Sequence, residues 1–409
     1  MDNPQITFRP HLLALSLALP AVAFSGFATA EMPASADVHS SKAASTLNTK
    51  VMNGEPASSV ANDLLPWQAA IMSEEVYGGY YSGCGAVIIS DYWAVTAAHC
   101  LESYAQLGNT LIAGTTYIPN STGEANTVDE KFKFNIVEKI KHPGFNGIYD
   151  LDDDIGLIKV DRPLSSVAKP IKLATPDEQA LANQDFVNTW TPTAATNGNV
   201  IASGWGNTEP DFLPPNELMV VKLAGIPLDQ CDEGDLPLTG SSHFVCADSN
   251  IPDVKKDVCA GDSGGPLIWQ NPNNAGDTDH GLRVIGVTSY GPYCDEKYIG
   301  NPLAQTNGLY TELAAYYDWI ALETQLNLPG LATSSFTHNP FDLVSEDATN
   351  PDAGTGNGGG EGSGNGDGNG ESGKETESST TSKSSGGGSM PLGLLASLMA
   401  LAFWRRQLG

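Results

Sequence analysis

The sequence predicts an all-β protein, a barrel or sandwich closed by a single helix. Two observations carry this. From Val51 to about Leu326, short apolar runs alternate with Gly, Pro, Asn and Asp breaks, the pattern of many short strands joined by turns. Residues 85–89, 135–137, 155–158 and 283–287 are such runs. Only residues 313–326 show clear helical amphipathic spacing, and they fall at the end of the strand-rich region. No internal repeat is present.

The flanks have different compositions. Arg9, an apolar run to Phe24 and Ala28-Thr29-Ala30 have the layout of a signal peptide, so residues 1–30 are expected to be removed after Ala30. The apolar run is too short for a full membrane span. Residues 31–50 are small and polar and read as a propeptide. Residues 51–330 form the globular domain. Residues 331–352 are an extension without an assigned role, whose Phe336, Phe341 and Leu343 can pack on that domain. Residues 353–389 are rich in Gly, Ser, Asn, Glu and Thr; with no apolar surface to bury, they read as a disordered linker. Residues 390–409 are a hydrophobic segment ending near Arg405-Arg406.

Charge and cysteines exclude several functions. The 20 basic and 48 acidic residues leave a net charge of −28, which repels nucleic acid and anionic membranes. The six cysteines are Cys84, Cys100, Cys231, Cys246, Cys259 and Cys294. In an exported chain an even count reads as disulfides, with 15 connectivities open. No CxxC pair or Cys/His cluster suggests zinc, so neither metal nor cofactor is expected.

Three separated segments carry chemistry: Thr96-Ala97-Ala98-His99-Cys100, Asp154-Ile155-Gly156-Leu157 and Gly261-Asp262-Ser263-Gly264-Gly265-Pro266. A serine hydroxyl is a weak nucleophile at neutral pH and needs an adjacent base, and histidine titrates in the right range. In the order His, Asp, Ser, these segments resemble the trypsin-like (chymotrypsin-fold) serine proteases over roughly residues 51–326. The resemblance implies two six-stranded antiparallel β-barrels with a C-terminal helix and the active site in the cleft between the barrels.

It also implies roles. Ser263 is the nucleophile, His99 the base and Asp154 the carboxylate that orients it. Asp154 is preferred to Asp150, Asp152 and Asp153 because it directly precedes the apolar run at Ile155. The backbone N–H groups of Gly261 and Ser263 form the oxyanion hole, and Ser289 supports Asp154. Asp257, six positions before Ser263, lies at the base of the specificity pocket and selects Arg or Lys. Val258, Tyr290, Gly291 and Gly308 line that pocket. The cysteines pair as Cys84–Cys100, Cys231–Cys246 and Cys259–Cys294, and Gly204-Trp205-Gly206 is a further landmark of the family.

Some positions depart from the family pattern. Gly156 stands where alanine is usual, a loss of one methyl that should be tolerated. Val258 replaces a common Ser or Ala and cannot hydrogen-bond a lysine ammonium, which favours Arg. Tyr290 replaces the usual Trp. The stretch from Cys294 to Gly308 is longer than in typical relatives.

Lys50 followed by Val51-Met52-Asn53-Gly54 resembles the family's activation site. Cleavage there would free an α-amine at Val51 to pair with Asp262. Gly386-Gly387-Gly388-Ser389, the apolar run and the two arginines resemble the C-terminal GlyGly sorting signal of some Gram-negative exported proteins, which a rhomboid-type protease processes. The expected protein is therefore a monomeric exported endopeptidase at or beyond the outer cell surface of a Gram-negative bacterium. Its expected partners are peptide substrates with Arg or Lys at the cleaved position, and an activating protease. The competing reading is an inactive homologue serving as a surface binding protein.

Overall fold

The computed structural model describes residues 51–346 except 75–79, 103–106, 120–127, 148–151, 207–214, 232–242, 253 and 292–306. The signal peptide, the propeptide with Lys50, the linker, the C-terminal segment, residues 347–352 and Cys294 lie outside the described residues.

Two closed antiparallel barrels make up the fold. The first contains β2 (Gln68–Glu74), β3 (Tyr80–Ile88), β4 (Trp93–Thr96), β5 (Leu107–Ala113), β6 (Lys133–Lys141) and β7 (Gly156–Val160), closed in the order β2-β3-β4-β7-β6-β5. The second contains β9 (Val200–Gly204), β10 (Met219–Ile226), β11 (Phe244–Asp248), β12 (Pro266–Gln270), β13 (Leu282–Tyr290) and β14 (Gly308–Glu312). It runs β10-β11-β14-β13-β12-β9 and closes through β9 and β10. Two short strands attach to it: β1 (Glu55–Pro56) on β10 and β8 (Lys172–Leu173) on β13. The expected architecture is the observed one.

Side-chain alternation explains how these strands build both barrels and their junction. On β2, Ala69 and Ile71 enter the first barrel's core, while Ala70 and Met72 join a cluster shared by both barrels. On β12, Leu267 and Trp269 fill the second barrel and Ile268 faces that shared cluster. Strands at the junction are therefore apolar on both faces, which is why they read as continuous apolar runs rather than alternating ones. Trp67 and Trp205 are almost wholly buried in the shared layer. Each such side chain removes roughly 150–250 Å2 from water, a gross gain of about 4–6 kcal/mol.

The helices differ from expectation in one respect. The predicted C-terminal helix begins as a 3-10 turn (Leu313–Tyr316) and continues as α3 (Tyr317–Thr324), ending at Gln325 in a left-handed conformation. A short α1 (Ala57–Val60) follows β1. A longer helix, α2 (Pro176–Thr189), was not expected. Thr175 accepts from the Glu178 N–H, the Glu178 carboxylate reaches back to Thr175 N, and Pro176 opens the first turn. That is a reciprocal capping box, a helix-start signal present in the sequence. Its apolar face is thin, with only Ala182 and Phe186 buried among its apolar residues, so periodicity alone does not reveal it. After α3, residues 331–346 lie on the domain and include a last turn, α4 (Pro340–Leu343).

Candidate active site

Strand pairing brings His99 to Asp154. β4 and β7 are antiparallel, with Thr96 opposite Gly156. The chain leaving β4 turns into a 3-10 helix at His99–Leu101, while Asp154 lies just before β7. Asp154 is fully buried. Its Oδ1 accepts from the His99 backbone N–H at 2.8 Å. Its Oδ2 accepts from His99 Nδ1 at 2.8 Å and from Ser289 Oγ at 2.6 Å. A carboxylate can only accept here, so Nδ1 carries the proton and Nε2 keeps its lone pair. Thr311 Oγ1 donates to the Asp154 carbonyl at 2.9 Å.

Ser289 comes from the other barrel. The register of β13 on β14 slips between Thr288 and Tyr290, leaving Ser289 as a bulged residue. Bulges re-aim side chains, and this one supplies the hydroxyl on Asp154. The neighbouring Asp153 is committed elsewhere, accepting from Tyr316 Oη at 2.8 Å. Where the family usually has alanine, a Cβ on Gly156 would lie 2.6 Å from Leu101 Cδ1. Leu101 occupies the space that the missing methyl leaves.

The turn bearing Ser263 belongs to the second barrel but sits on the first. The Ser263 carbonyl accepts from Gly85 N–H on β3 at 2.7 Å. Gly264 has φ +76°, and a Cβ there would lie 2.1 Å from Thr96 Oγ1. The turn is thus pressed against the chain that leads into His99, and only glycine permits that conformation and that approach. Gly261 also has a positive φ, +99°. The disulfide Cys84–Cys100 ties β3 to the His99 turn, and Cys231–Cys246 is formed as expected. Cys259 is disulfide-bonded, and its expected partner Cys294 lies outside the described residues.

Asp262 is fully buried beneath this turn. It accepts from Gly206 N–H and Cys259 N–H, each at 2.7 Å. Burial pushes its pKa up to about 6, and the two N–H groups oppose that rise. The Gly-Trp-Gly landmark now has a physical role. A Cβ on Gly204 or Gly206 would collide with the Asp262 carboxylate, at 2.1 and 2.5 Å. Spacing alone did not reveal Gly206 as a ligand of Asp262.

The residues expected to form the specificity pocket converge. Asp257 is buried, and its Oδ1 accepts from Val258 N–H at 2.7 Å. A Cβ on Gly308 would lie 2.7 Å from that same Oδ1, and one on Gly291 would lie 3.6 Å from the Val258 carbonyl. Tyr290 pairs with Leu309 across β13 and β14. Asp257 Oδ2 and Tyr310 Oη are buried without a hydrogen-bond partner among the described residues. Burial raises the Asp257 pKa well above the carboxylate range, and the charge of Asp248 raises it further. Asp248, held by Asn307 Nδ2 at 2.9 Å, and Tyr310 are electrostatic neighbours of Asp257 that sequence reasoning missed. Neither stands in a recognisable motif.

The segment after Lys50 docks beside Asp257. Val51 is fully buried in the second barrel's core. Met52 N–H donates to the Asp257 carbonyl at 3.0 Å, and Asn53 Nδ2 donates to the Lys255 carbonyl at 2.6 Å. The sulfurs of Cys84 and Cys100 lie near a His99 ring nitrogen. They are joined in a disulfide, so no thiolate is available there to bind a metal.

Comparison with known proteins agrees with this geometry. Residues 52–320 match the family model described as Trypsin. The chain is similar to a trypsin of Phaedon cochleariae, 29% identical over 68% of this chain and 90% of that protein. It is similar to human kallikrein-2, 29% identical over 62% of this chain and 83% of the relative. Ovochymase-2 of Mus musculus is 26% identical over 73% of this chain and 45% of its own length. The chain belongs to the trypsin family and is a serine endopeptidase.

Proposed function

We propose that this protein cleaves peptide bonds after arginine, and more slowly after lysine, through an acyl-enzyme formed on Ser263. His99 Nε2 takes the hydroxyl proton as Ser263 Oγ attacks the scissile carbonyl carbon. The oxygen gains negative charge and is held by the Gly261 and Ser263 N–H groups. Collapse expels the amine, which takes the proton from His99. Water then attacks the ester, gives its proton to His99, and the acid leaves as Ser263 recovers its hydrogen. Asp154 keeps the imidazole in the required tautomer and balances its charge while it is protonated.

The observation that carries the specificity is the buried Oδ2 of Asp257 beside Gly308, without a hydrogen-bond partner among the described residues. Burial disfavours ionisation of this carboxyl while it is unpaired, and a cationic side chain supplies the charge that lets it ionise, so the pocket favours a cation. Guanidinium can meet a carboxylate with two parallel hydrogen bonds, whereas Val258 offers lysine no hydroxyl. On matched substrates differing only at the cleaved residue, kcat/KM is expected to fall about tenfold from Arg to Lys. It should fall by roughly 10^3 or more from Arg to Phe. Val258→Ser should narrow the first gap. Comparable rates for Phe sink the assignment of Asp257, and Lys faster than Arg sinks the role of Val258.

The same reading includes export and processing at both ends, with activation at the bond between Lys50 and Val51. The C-terminal apolar run is about 15 residues, short of the roughly 20 that span a bilayer, and it follows a glycine cluster. Both features suit a sorting signal cut near the glycines, in a Gram-negative exporter with a rhomboid-type protease. Mass spectrometry of the secreted or surface form should find a C-terminus before Met390. Arg405-Arg406 retained on the mature protein would mean a permanent anchor instead.

A further inference from the structure

The chain continues past α3 as a strap that crosses the domain and ends at Lys256, the residue before Asp257. Lys172 Nζ donates to Thr333 Oγ1 at 2.7 Å, and Ser334 Oγ donates to the Pro170 carbonyl at 2.6 Å. Lys169 Nζ donates to the Ser335 carbonyl at 2.7 Å. Phe336 is buried edge-on against Trp67, with ring centroids 4.8 Å apart. Val344 is buried in turn. Ser345 N–H then donates to Glu55 Oε1 at 2.6 Å.

The strap's last described residue, Glu346, gathers four partners. Oε1 accepts from Lys222 Nζ at 2.9 Å. Oε2 accepts from Gly198 N–H at 2.8 Å and from Asn250 Nδ2 at 2.9 Å. The Glu346 carbonyl accepts from Lys256 Nζ at 2.8 Å. Lys256 is only 1% exposed, and its ammonium also donates to Asn250 Oδ1 at 2.5 Å. A buried ammonium is tolerated only where acceptors replace its water, and the strap provides one of these.

The position of this cluster gives it functional weight. Lys256 immediately precedes Asp257. Met52 N–H meets the Asp257 carbonyl, and Asn53 meets that of Lys255. The strap therefore grips both sides of that contact, Glu55 on one and Lys256 on the other. We propose that Glu346 is a positioning residue for substrate recognition. Its carboxylate holds Asn250, whose Oδ1 accepts from Lys256, and its backbone carbonyl accepts from Lys256 directly; the carboxylate thereby fixes the backbone that presents Asp257, so selection of arginine depends on the strap. The proposal rests on Asp257 being the base of the specificity pocket.

The test uses the activated protein with Glu346→Ala, Glu346→Lys and Glu346→Gln. KM for an Arg substrate and Kd for benzamidine, a small cation that probes the pocket, are expected to rise about tenfold in Glu346→Ala. In Glu346→Lys, which sets a third cation beside Lys222 and Lys256, they should rise further. Glu346→Gln should recover most of the affinity, because its single carbonyl oxygen can still accept from Gly198 and Asn250. The rate of Ser263 labelling by a fluorophosphonate should stay within about twofold, since that reagent needs no cationic side chain. A lowered melting temperature with unchanged KM and benzamidine affinity would overturn the proposal, leaving Glu346 a purely structural residue. Equal losses in labelling and in Arg affinity would also overturn it, because the damage would not be confined to the pocket. If the wild type itself binds benzamidine no better than benzene, the Asp257 reading fails, and the proposal fails with it.

Discussion

Asp154→Asn is expected to lower kcat by about 10^4, and Ser263→Ala or His99→Ala by on the order of 10^4 to 10^6, with double variants little worse than single ones. The hydrogen bonds show why so small a change at Asp154 costs so much. Its two oxygens accept three donors, two of them from His99. Asparagine has one acceptor oxygen. If that oxygen keeps the His99 backbone N–H, the amide NH2 faces Nδ1 and donates to it. The imidazole proton then moves to Nε2, where it blocks uptake of the Ser263 proton. Benzamidine affinity should be unchanged, since Asp257 is untouched. The measurement is active-site-titrated kcat on an Arg substrate at neutral pH. Near-normal turnover in Asp154→Asn would remove it from the mechanism, and Asp153, already bound to Tyr316 Oη, would be the next candidate.

Much of this site was legible because its chemistry is local in the chain. Gly261-Asp262-Ser263-Gly264-Gly265 needs its glycines for backbone reasons, and those reasons hold wherever the turn docks. Asp257 was found by counting back from Ser263. Gly308 was harder, because the length of the stretch after Cys294 obscures the count; in the fold, a Cβ at this position would meet Asp257 Oδ1 at 2.7 Å. Helix α2 was missed because its few buried apolar residues hide the period, although its capping box stood in the sequence. The Glu346 cluster was illegible for another reason. Gly198, Lys222, Asn250, Lys256 and Glu346 form no motif and meet only through the tertiary fold. Asp248 and Tyr310 are likewise ordinary strand residues until the barrel brings them toward Asp257.

Lys50→Gln, expressed without other trypsin-like proteases, is expected to accumulate as an uncut precursor with negligible activity, whereas active wild type should begin at Val51. Two features motivate this. Val51 is a β-branched residue with φ +50°, a conformation costly for such a side chain. Yet its side chain is fully buried in the second barrel's core. Cutting after Lys50 removes the preceding carbonyl, and with it the steric clash that makes this φ unfavourable. The second feature is Asp262, buried and held among the described residues by two backbone N–H groups, with a pKa pushed up to about 6 by burial. A carboxylate raised in the folded state stabilises the fold when protonated, and that contribution is lost as pH rises from about 4 through about 6. A new ammonium at Val51, charged below roughly pH 8, would pair with Asp262 and reverse this loss. The pairing would also hold Asp262 where the adjoining Gly261 and Ser263 N–H groups point into the oxyanion hole. Cleaved enzyme should therefore be more stable than the Lys50→Gln precursor at pH 7, and this difference should shrink as pH falls through about 6, where the precursor's Asp262 takes up its proton, and close at lower pH once the paired Asp262 is protonated too. Thermal melts of the two forms across that range, beside N-terminal sequencing and Arg-substrate assays, decide the matter. Full activity from uncut Lys50→Gln, or a stability gap that ignores pH, would mean that Asp262 does not wait for the Val51 amine.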